Sequence, residues 1–416
     1  MDLATARLLL SNEGRALLDA LPPYQEGAAL RLGEDLRAAG YDAALVAAVL
    51  TQSRLRARAR RKLGEFADGM LFTPDGLEQA TRLELAARHA HRFRAAGLAH
   101  VLDLGCGLGA DAMALAGLGM AVTAVEADPA VATLAEHNLR HFPSVRVQHA
   151  RAEDAWPPGP QGSPGSPGRP LGAWLDPARR TPGLTDAAGR TRRTHSLAGL
   201  SPSWDFVQQV AADVPATGAK LSPALAHSAI PAGTEATWTS REGEVLECAL
   251  WWGPLVRTPG RVACVIRDAP GSPDVLVTEA DSDGLGPVAA GLPSAGEFLY
   301  EPDRAVLRAG LVGALTAATG GAELSHGVGY VVAPTAVVVP FARRYVVTEA
   351  MPLQVKAVRA WLRAQGVGRL TIKKRGLDLD ADQLRRQLRL DGRGDELTVV
   401  LTRAGVRPAF LAVEPV

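Results

Sequence analysis

Apolar residues in the first hundred positions recur at helical spacing. Leu8, Leu9 and Leu10 precede a Ser11/Asn12 cap, and Leu17, Leu18 and Leu21 continue the stripe until Pro22-Pro23 ends it. A second run predicts a helix from Asp42 to about Phe66. Thr73-Pro74, a capping residue with proline in the first turn, predicts another carrying Leu77, Leu85, Ala86 and Phe93. Residues 1–96 are therefore expected to form a helical domain.

From His100 the period changes. Val101–Leu104 is a short apolar run ending in glycines. A small-residue helix (111–118) follows, then runs at Ala121–Val125, Val145–Gln148 and Ala173–Leu175. Strands alternating with helical stretches predict βαβ units, a parallel sheet and an α/β fold. The stretch 157–170, rich in Pro, Gly and Ser, reads as a mobile insertion. A helix near 204–211 and a strand at Gly218–Leu221 continue the sheet. Ala236–Ser240, Val245–Trp251 and Val262–Ile266 follow across short connections, which predicts antiparallel pairing at its edge. Residues 97–270 are read as this central domain and 270–293 as a linker. Residues 295–416 are read as a small α+β domain, with helices near 354–364 and 381–388 and strands near 369–373, 396–401 and 408–413.

The chemistry concentrates in Val101-Leu102-Asp103-Leu104-Gly105-Cys106-Gly107-Leu108-Gly109. Glycines let a backbone turn tightly and approach a ligand, and the loop feeds a helix N-terminus. Glu126, about twenty residues on, can bridge the hydroxyls of a ribose. Gly105, Gly107 and Ala110 also satisfy the dinucleotide pattern G-x-G-x-x-A, so NAD competes. Asp103 discriminates: a carboxylate there repels a pyrophosphate and attracts the ammonium of a methionine moiety. The residues favour S-adenosylmethionine.

The D-L-G-C-G-L-G run, Glu126 and Asp128-Pro129 resemble class I S-adenosylmethionine-dependent methyltransferases, which implies a Rossmann-like sheet. The resemblance implies that Gly105, Gly107 and Gly109 line the methionine portion and that Glu126 holds the ribose. It also implies an acidic residue, Asp154 or its neighbour Glu153, near the adenine amine. Asp176-Pro177 resembles the start of the [DNS]-P-P-[YFW] segment of methyltransferases acting on base nitrogens. That resemblance implies Asp176 and Pro177 as the positioning pair. Ala178 and Arg179 depart from it, and Asp-Pro-x-Arg is similar to the 5-methyluridine enzymes, which need a cysteine nucleophile. Cys106 reads instead as a small packing residue. Leu71–Thr81, Asp176–Arg180 and the segments around 371–376, 384–386 and 399–403 resemble a bacterial methyltransferase family with a C-terminal THUMP-like domain. That implies RNA binding, with tRNA or rRNA as partner. Gln79 and Thr81 are candidate polar contacts to the cofactor.

Composition adds little. The 416-residue chain has 47% hydrophobic and 21% charged residues and a net charge of +1, so any basic surface is local. Arg58, Arg61 and Lys62 in one cluster, and Lys373, Lys374 and Arg375 in another, are candidate RNA contacts. Tyr300 and Phe341, near arginines, are weaker candidates for meeting a base. Three dispersed cysteines and histidines without ligand spacing predict neither a disulfide framework nor a metal site. No signal peptide or membrane span is expected, which suggests a cytoplasmic protein. A non-catalytic RNA-binding protein with a degenerate pocket, and a methyltransferase of small molecules or proteins, remain as alternatives.

Overall fold

The computed structural model describes all residues except 157–170, 178–179, 186–190, 194–196, 268–271, 283 and 391. The expected insertion at 157–170 and the residues Ala178 and Arg179 thus lie outside the described residues. The chain divides into two compact units, residues 1–221 with 250–257, and residues 222–249 with 258–416.

The first unit opens with helices α1 (Leu3–Leu10), α2 (Asn12–Ala20), α3 (Ala29–Ala38) and α4 (Ala43–Leu63). Side chains of Asp2, Ser11 and Asp42 cap three of them by accepting from the otherwise unpaired N–H groups of the first turn. In α4 the buried residues Leu45, Val49, Gln52, Leu55, Ala59 and Leu63 recur every three to four positions and form one inward face. The single helix expected after Thr73-Pro74 is two: α5 (Pro74–Gln79) and α6 (Leu83–Ala95). The break has a visible cause. The Lys62 ammonium donates to the carbonyls of Leu77, Glu78 and Ala80 at 2.9, 2.7 and 3.1 Å, satisfying the exposed end of α5.

The chain then alternates through β1 (His100–Leu104), α7 (Ala110–Gly117), β2 (Ala121–Glu126), α8 (Pro129–Asn138), β3 (Val145–His149) and β4 (Leu171–Leu175). A small antiparallel pair, β5 (Arg180–Thr185) and β6 (Thr191–Arg193), precedes α9 (Trp204–Asp213) and β7 (Thr217–Leu221). Within this unit the strand order is β7-β4-β1-β2-β3, every pairing parallel. It is the Rossmann-like α/β sheet expected from the alternation. Helices cover both faces. Ala173 and Leu175 of β4 join Phe206, Val207 and Val210 of α9 in one core cluster. Trp174, between them in sequence, points the other way and meets His89 and Phe93 of α6, with ring centroids 4.3 and 6.3 Å away. Trp251 stacks on Trp174 at 5.3 Å. Gly218 makes room for both: a Cβ there would sit 2.6 Å from Trp251 and 2.9 Å from Trp174.

Two buried amides tie the helical region to the sheet. Gln52 of α4 exchanges both hydrogen bonds with the backbone of Phe72, at 2.7 and 2.9 Å. Asn138 of α8 does the same with Leu71, at 2.8 and 3.0 Å, and donates to Leu108 O at 3.1 Å. These bonds fix Leu71-Phe72 beside the glycine loop, so that α5 starts from a set position.

In the second unit, β8 (Glu235–Arg241) neighbours β9 (Glu244–Trp251), whose last two residues belong to the first unit. The strand β10 (Gly260–Ile266) pairs with β8 in parallel, which corrects the expected antiparallel pairing at that strand. After β9 the chain returns to the end where β8 began and adds β10 on the far side of β8. The strand β11 (Val275–Thr278) pairs antiparallel with β10 and lies inside the stretch expected to be a linker. Beyond it come β12 (Phe298–Pro302), α10 (Arg304–Arg308), α11 (Val312–Thr319), β13 (Ala322–Glu323), β14 (Val331–Ala333) and β15 (Ala342–Pro352). The chain ends with α12 (Val355–Ala364), β16 (Val367–Lys374), α13 (Ala381–Leu388), β17 (Asp395–Ala404) and β18 (Arg407–Pro415). The seven strands β12–β18 form a sheet of order β13-β14-β12-β15-β18-β17-β16, in which only β16 and β17 run parallel. Val358, Leu362, Leu384 and Leu388 seat α12 and α13 on it. Among the described residues no helix is long and apolar enough to cross a membrane, and the three cysteines are buried and free.

Asn138→Ala is expected to lower the unfolding free energy by about 2–4 kcal/mol, because it strands a buried N–H and two carbonyls. Denaturant titration checks this; a loss under 0.5 kcal/mol, about that of an ordinary surface change, would deny the clamp its role.

Candidate active site

The parallel strands of the first unit deliver their C-terminal ends to a cavity of about 550 Å³. Asp103 comes from β1, Glu126 from the end of β2, Arg151 and Glu153 from the turn after β3, and Asp176 from the end of β4. Gly105 and Gly107 form one wall, and Thr73, Gly76, Gln79 and Thr81 another.

The glycines have separate jobs. Gly105 has φ +97°, and a Cβ there would lie 3.2 Å from the carbonyl oxygen of Asp176, so it lets the ends of β1 and β4 approach. Its N–H and that of Cys106 donate to Val125 O at 2.9 and 3.0 Å. Gly107 has φ +54° and faces open space. Gly109, expected to touch the cofactor, does not line the cavity. At φ +90° it starts α7 and packs on Leu139, where a Cβ would meet the side chain at 2.8 Å. Asp154 is exposed and also falls outside the lining, while its neighbour Glu153 falls inside. Pro177 is buried and does not line the cavity, leaving Asp176 as the member of that pair at the surface of the site.

Charge sets the character of the cavity. Asp103 is 1% exposed, and its Oδ2 has no hydrogen-bond partner among the described residues. Burial, then the neighbouring Asp111, Asp176 and Glu126, pushes its carboxyl well above the usual range; Lys220 counters in part. Glu126 is anchored by N–H donors from Gly107 to Oε2 and Asp128 to Oε1, at 3.0 and 2.9 Å, yet burial still raises it. Burial is also the largest influence on Asp111 and pushes it upward. His89 Nδ1 at 2.8 Å, together with Lys220 and the Thr81 hydroxyl, holds it below its ordinary value.

Lys220 is the residue that sequence reasoning missed. Its ammonium lies 2.5 Å from Asp176 Oδ2, 3.1 Å from Thr81 Oγ1 and 3.5 Å from Gln79 O. It thus ties the end of β4 to the break between α5 and α6. The signal was present: a lysine inside the apolar strand Thr217–Leu221 needs a partner to be buried. Thr81 is consequently a link between Lys220 and Asp111, and Gln79 stands exposed at the rim.

The basic residues singled out earlier divide. Arg58 and Arg61 are exposed on α4, whereas Lys62 is committed to the carbonyls of α5. Lys373 and Arg375 are held by Glu301 at 2.7 and 3.4 Å. Lys374 is exposed and reaches Leu379 O at 2.5 Å.

A group that is harder to ionise folded than unfolded favours the folded state at low pH. That advantage fades as pH climbs from the ordinary aspartate range through the raised value. The ligand-free protein should therefore lose stability over that window through Asp103. Asp103→Asn should melt higher than the native chain at neutral pH and depend less on pH. Identical melting profiles would show that Asp103 carries no buried charge.

The cavity matches its expected ligand. The unmet Asp103 oxygen suits an ammonium, Glu126 suits a diol, and four converging carboxylates oppose a pyrophosphate. Comparisons with known proteins agree. A family model described as SAM-dependent methyltransferase matches residues 75–150, and one described as THUMP domain-like matches residues 342–415. A domain of unknown function matches residues 2–59. An uncharacterized S-adenosylmethionine-dependent methyltransferase of Mycobacterium tuberculosis is 31% identical over 363 residues, covering 84% of this chain and 91% of its own. The crystal structure of a methyltransferase from Porphyromonas gingivalis shares the fold at a TM-score of 0.68 and 18% identity, covering 95% of this chain and 100% of that one. The chain belongs to the S-adenosylmethionine-dependent methyltransferases, and S-adenosyl-L-methionine is its cofactor.

Proposed function

We propose that this methyltransferase modifies a base nitrogen of structured RNA, tRNA or rRNA, in the cytoplasm. The observation that carries the RNA reading is a separation of charge along the chain. The segment 342–415 that matches the THUMP domain-like model holds fifteen Lys and Arg against eight Asp and Glu, a net of +7, whereas the whole chain nets +1. Much of that charge is at the surface: Arg363, Arg369, Lys374, Arg386 and Arg389 are exposed. A cationic module joined to an acidic remainder, 30 Lys and Arg against 36 Asp and Glu, a net of −6, directs a polyanion to that module, where its phosphates position it.

The residues of the first cavity take complementary roles. Asp103 receives the methionine ammonium, Glu126 the ribose hydroxyls, and Glu153 the adenine amine. Bound S-adenosyl-L-methionine supplies an electrophilic methyl carbon. Asp176 accepts a hydrogen bond from the acceptor amine and so turns its lone pair toward that carbon, and alignment of this kind provides much of the rate. Lys220, 2.5 Å from Asp176 Oδ2, holds that carboxylate in place and offsets its charge. Attack through a cysteine fits poorly. Cys106 lines the cavity, but burial, with Asp103 and Glu126 nearby, pushes its thiol well up and keeps it protonated.

Asp103→Ala should weaken S-adenosylmethionine binding about 10- to 100-fold by calorimetry, the loss of one charge-assisted contact. Asp176→Ala should leave that affinity within twofold but slow methyl transfer by roughly 100-fold; full activity would exclude it as the positioning residue. For the substrate, nucleosides of tRNA and rRNA from a deletion strain and its parent are compared by mass spectrometry. Loss of one methylated base is expected, and identical profiles would sink the RNA reading.

A further inference from the structure

The second unit holds a cavity of about 660 Å³ for which the chemistry above has no use. Its walls come from the β8–β9 turn, the end of β10, the β12–α10 junction and the start of β15, with Lys373 and Arg375 alongside.

Charge and shape are informative here. Arg267, Arg304 and Arg343 reach the cavity from three separate elements. All three are exposed, and none has an ion-pair partner among the described residues. Glu301 sits between Lys373 and Arg375 and also accepts from the Tyr345 hydroxyl at 3.0 Å, so one carboxylate is shared by two cations. Asp303 is occupied with the Ala305 N–H at 2.8 Å and the Ser240 hydroxyl at 2.5 Å. The remaining carboxylates, Glu242 and Glu244, are exposed on the turn at the rim. Phe341, half-buried, completes the wall two residues before Arg343. Of the two aromatics noted near arginines, Tyr300 is fully buried, its hydroxyl taken up by the backbone of Thr335 and Val337. Only Phe341 can meet a ligand.

Unpaired guanidinium groups converging beside an aromatic face can grip phosphates while a base stacks. A concave wall admits a base only when it is free of its own helix. We propose that this cavity binds a short single-stranded stretch of the RNA, its phosphates on Arg267, Arg304 and Arg343 and one base against Phe341. This rests on the RNA reading above and adds to it the place and the form of RNA that is held.

The test uses the full chain and fluorescence anisotropy, with a short fluorescein-labelled single-stranded RNA and a blunt duplex of the same sequence, over a range of salt. The double variant Arg304→Gln/Arg343→Gln should weaken single-strand binding about tenfold or more. It should also reduce the magnitude of the log K against log salt slope by about 1.4, two contacts at roughly 0.7 each. Phe341→Leu should cost about tenfold, the worth of one stacked base, with the slope unchanged. Glu242→Gln should tighten binding, and Arg31→Gln, an exposed arginine of α3, should change neither quantity. If the native chain binds RNA with strong salt dependence but the cavity variants match it in affinity and slope, this proposal falls and the RNA reading stands. Equal loss of duplex binding in the variants overturns the single-strand assignment. A native chain with no salt-dependent RNA affinity removes both.

Discussion

The first unit is organised around a concentration of negative charge that folding does not neutralise. Asp103, Asp111, Asp176 and Glu126 meet at the ends of adjacent parallel strands and at the start of α7, with Lys220 set among them. A buried carboxylate with an oxygen left unbonded is costly to the fold. A ligand bearing an ammonium and a sulfonium would offset that charge, and a diphosphate would add to it. The helical region contributes through the same device, because Thr81 reaches both Asp111 and Lys220 only where α5 and α6 separate.

That separation explains why N-terminal helices and sheet make one site. Gln52 and Asn138 pin Leu71 and Phe72 by paired backbone bonds, and Lys62 closes the end of α5. The side chains that finish the cavity on this side therefore hang from a backbone held at both ends. A lysine that reads as a nucleic-acid contact in the sequence turns out to be a helix terminator, since its three donors meet three carbonyls without a helical partner.

Much of this was legible in the residues. The alternation of short apolar runs and helices predicts the parallel sheet though not its strand order, and the D-x-G-x-G loop with Glu126 marks residues that line the cavity. Periodicity could not show that α5 and α6 are separate, because the cause lies in Lys62, more than ten residues upstream. Nor could local spacing assign Gly109, whose freedom from a side chain serves Leu139. The parallel placement of β10 beside β8 depends on which side the returning chain joins, and short connections alone do not encode that. Lys220 was readable in principle, as a charge within a buried strand, but its partner is distant in sequence.

The most direct test of the charge argument is calorimetric titration of S-adenosylmethionine at a series of pH values from the ordinary aspartate range upward, in buffers of different ionisation heat. At pH between the bound and the raised ligand-free values of Asp103, binding should release a proton as the carboxyl ionises to face the ammonium, and Asp103→Asn should abolish that release. Binding of equal strength with no proton exchange at any pH of the series would contradict the account.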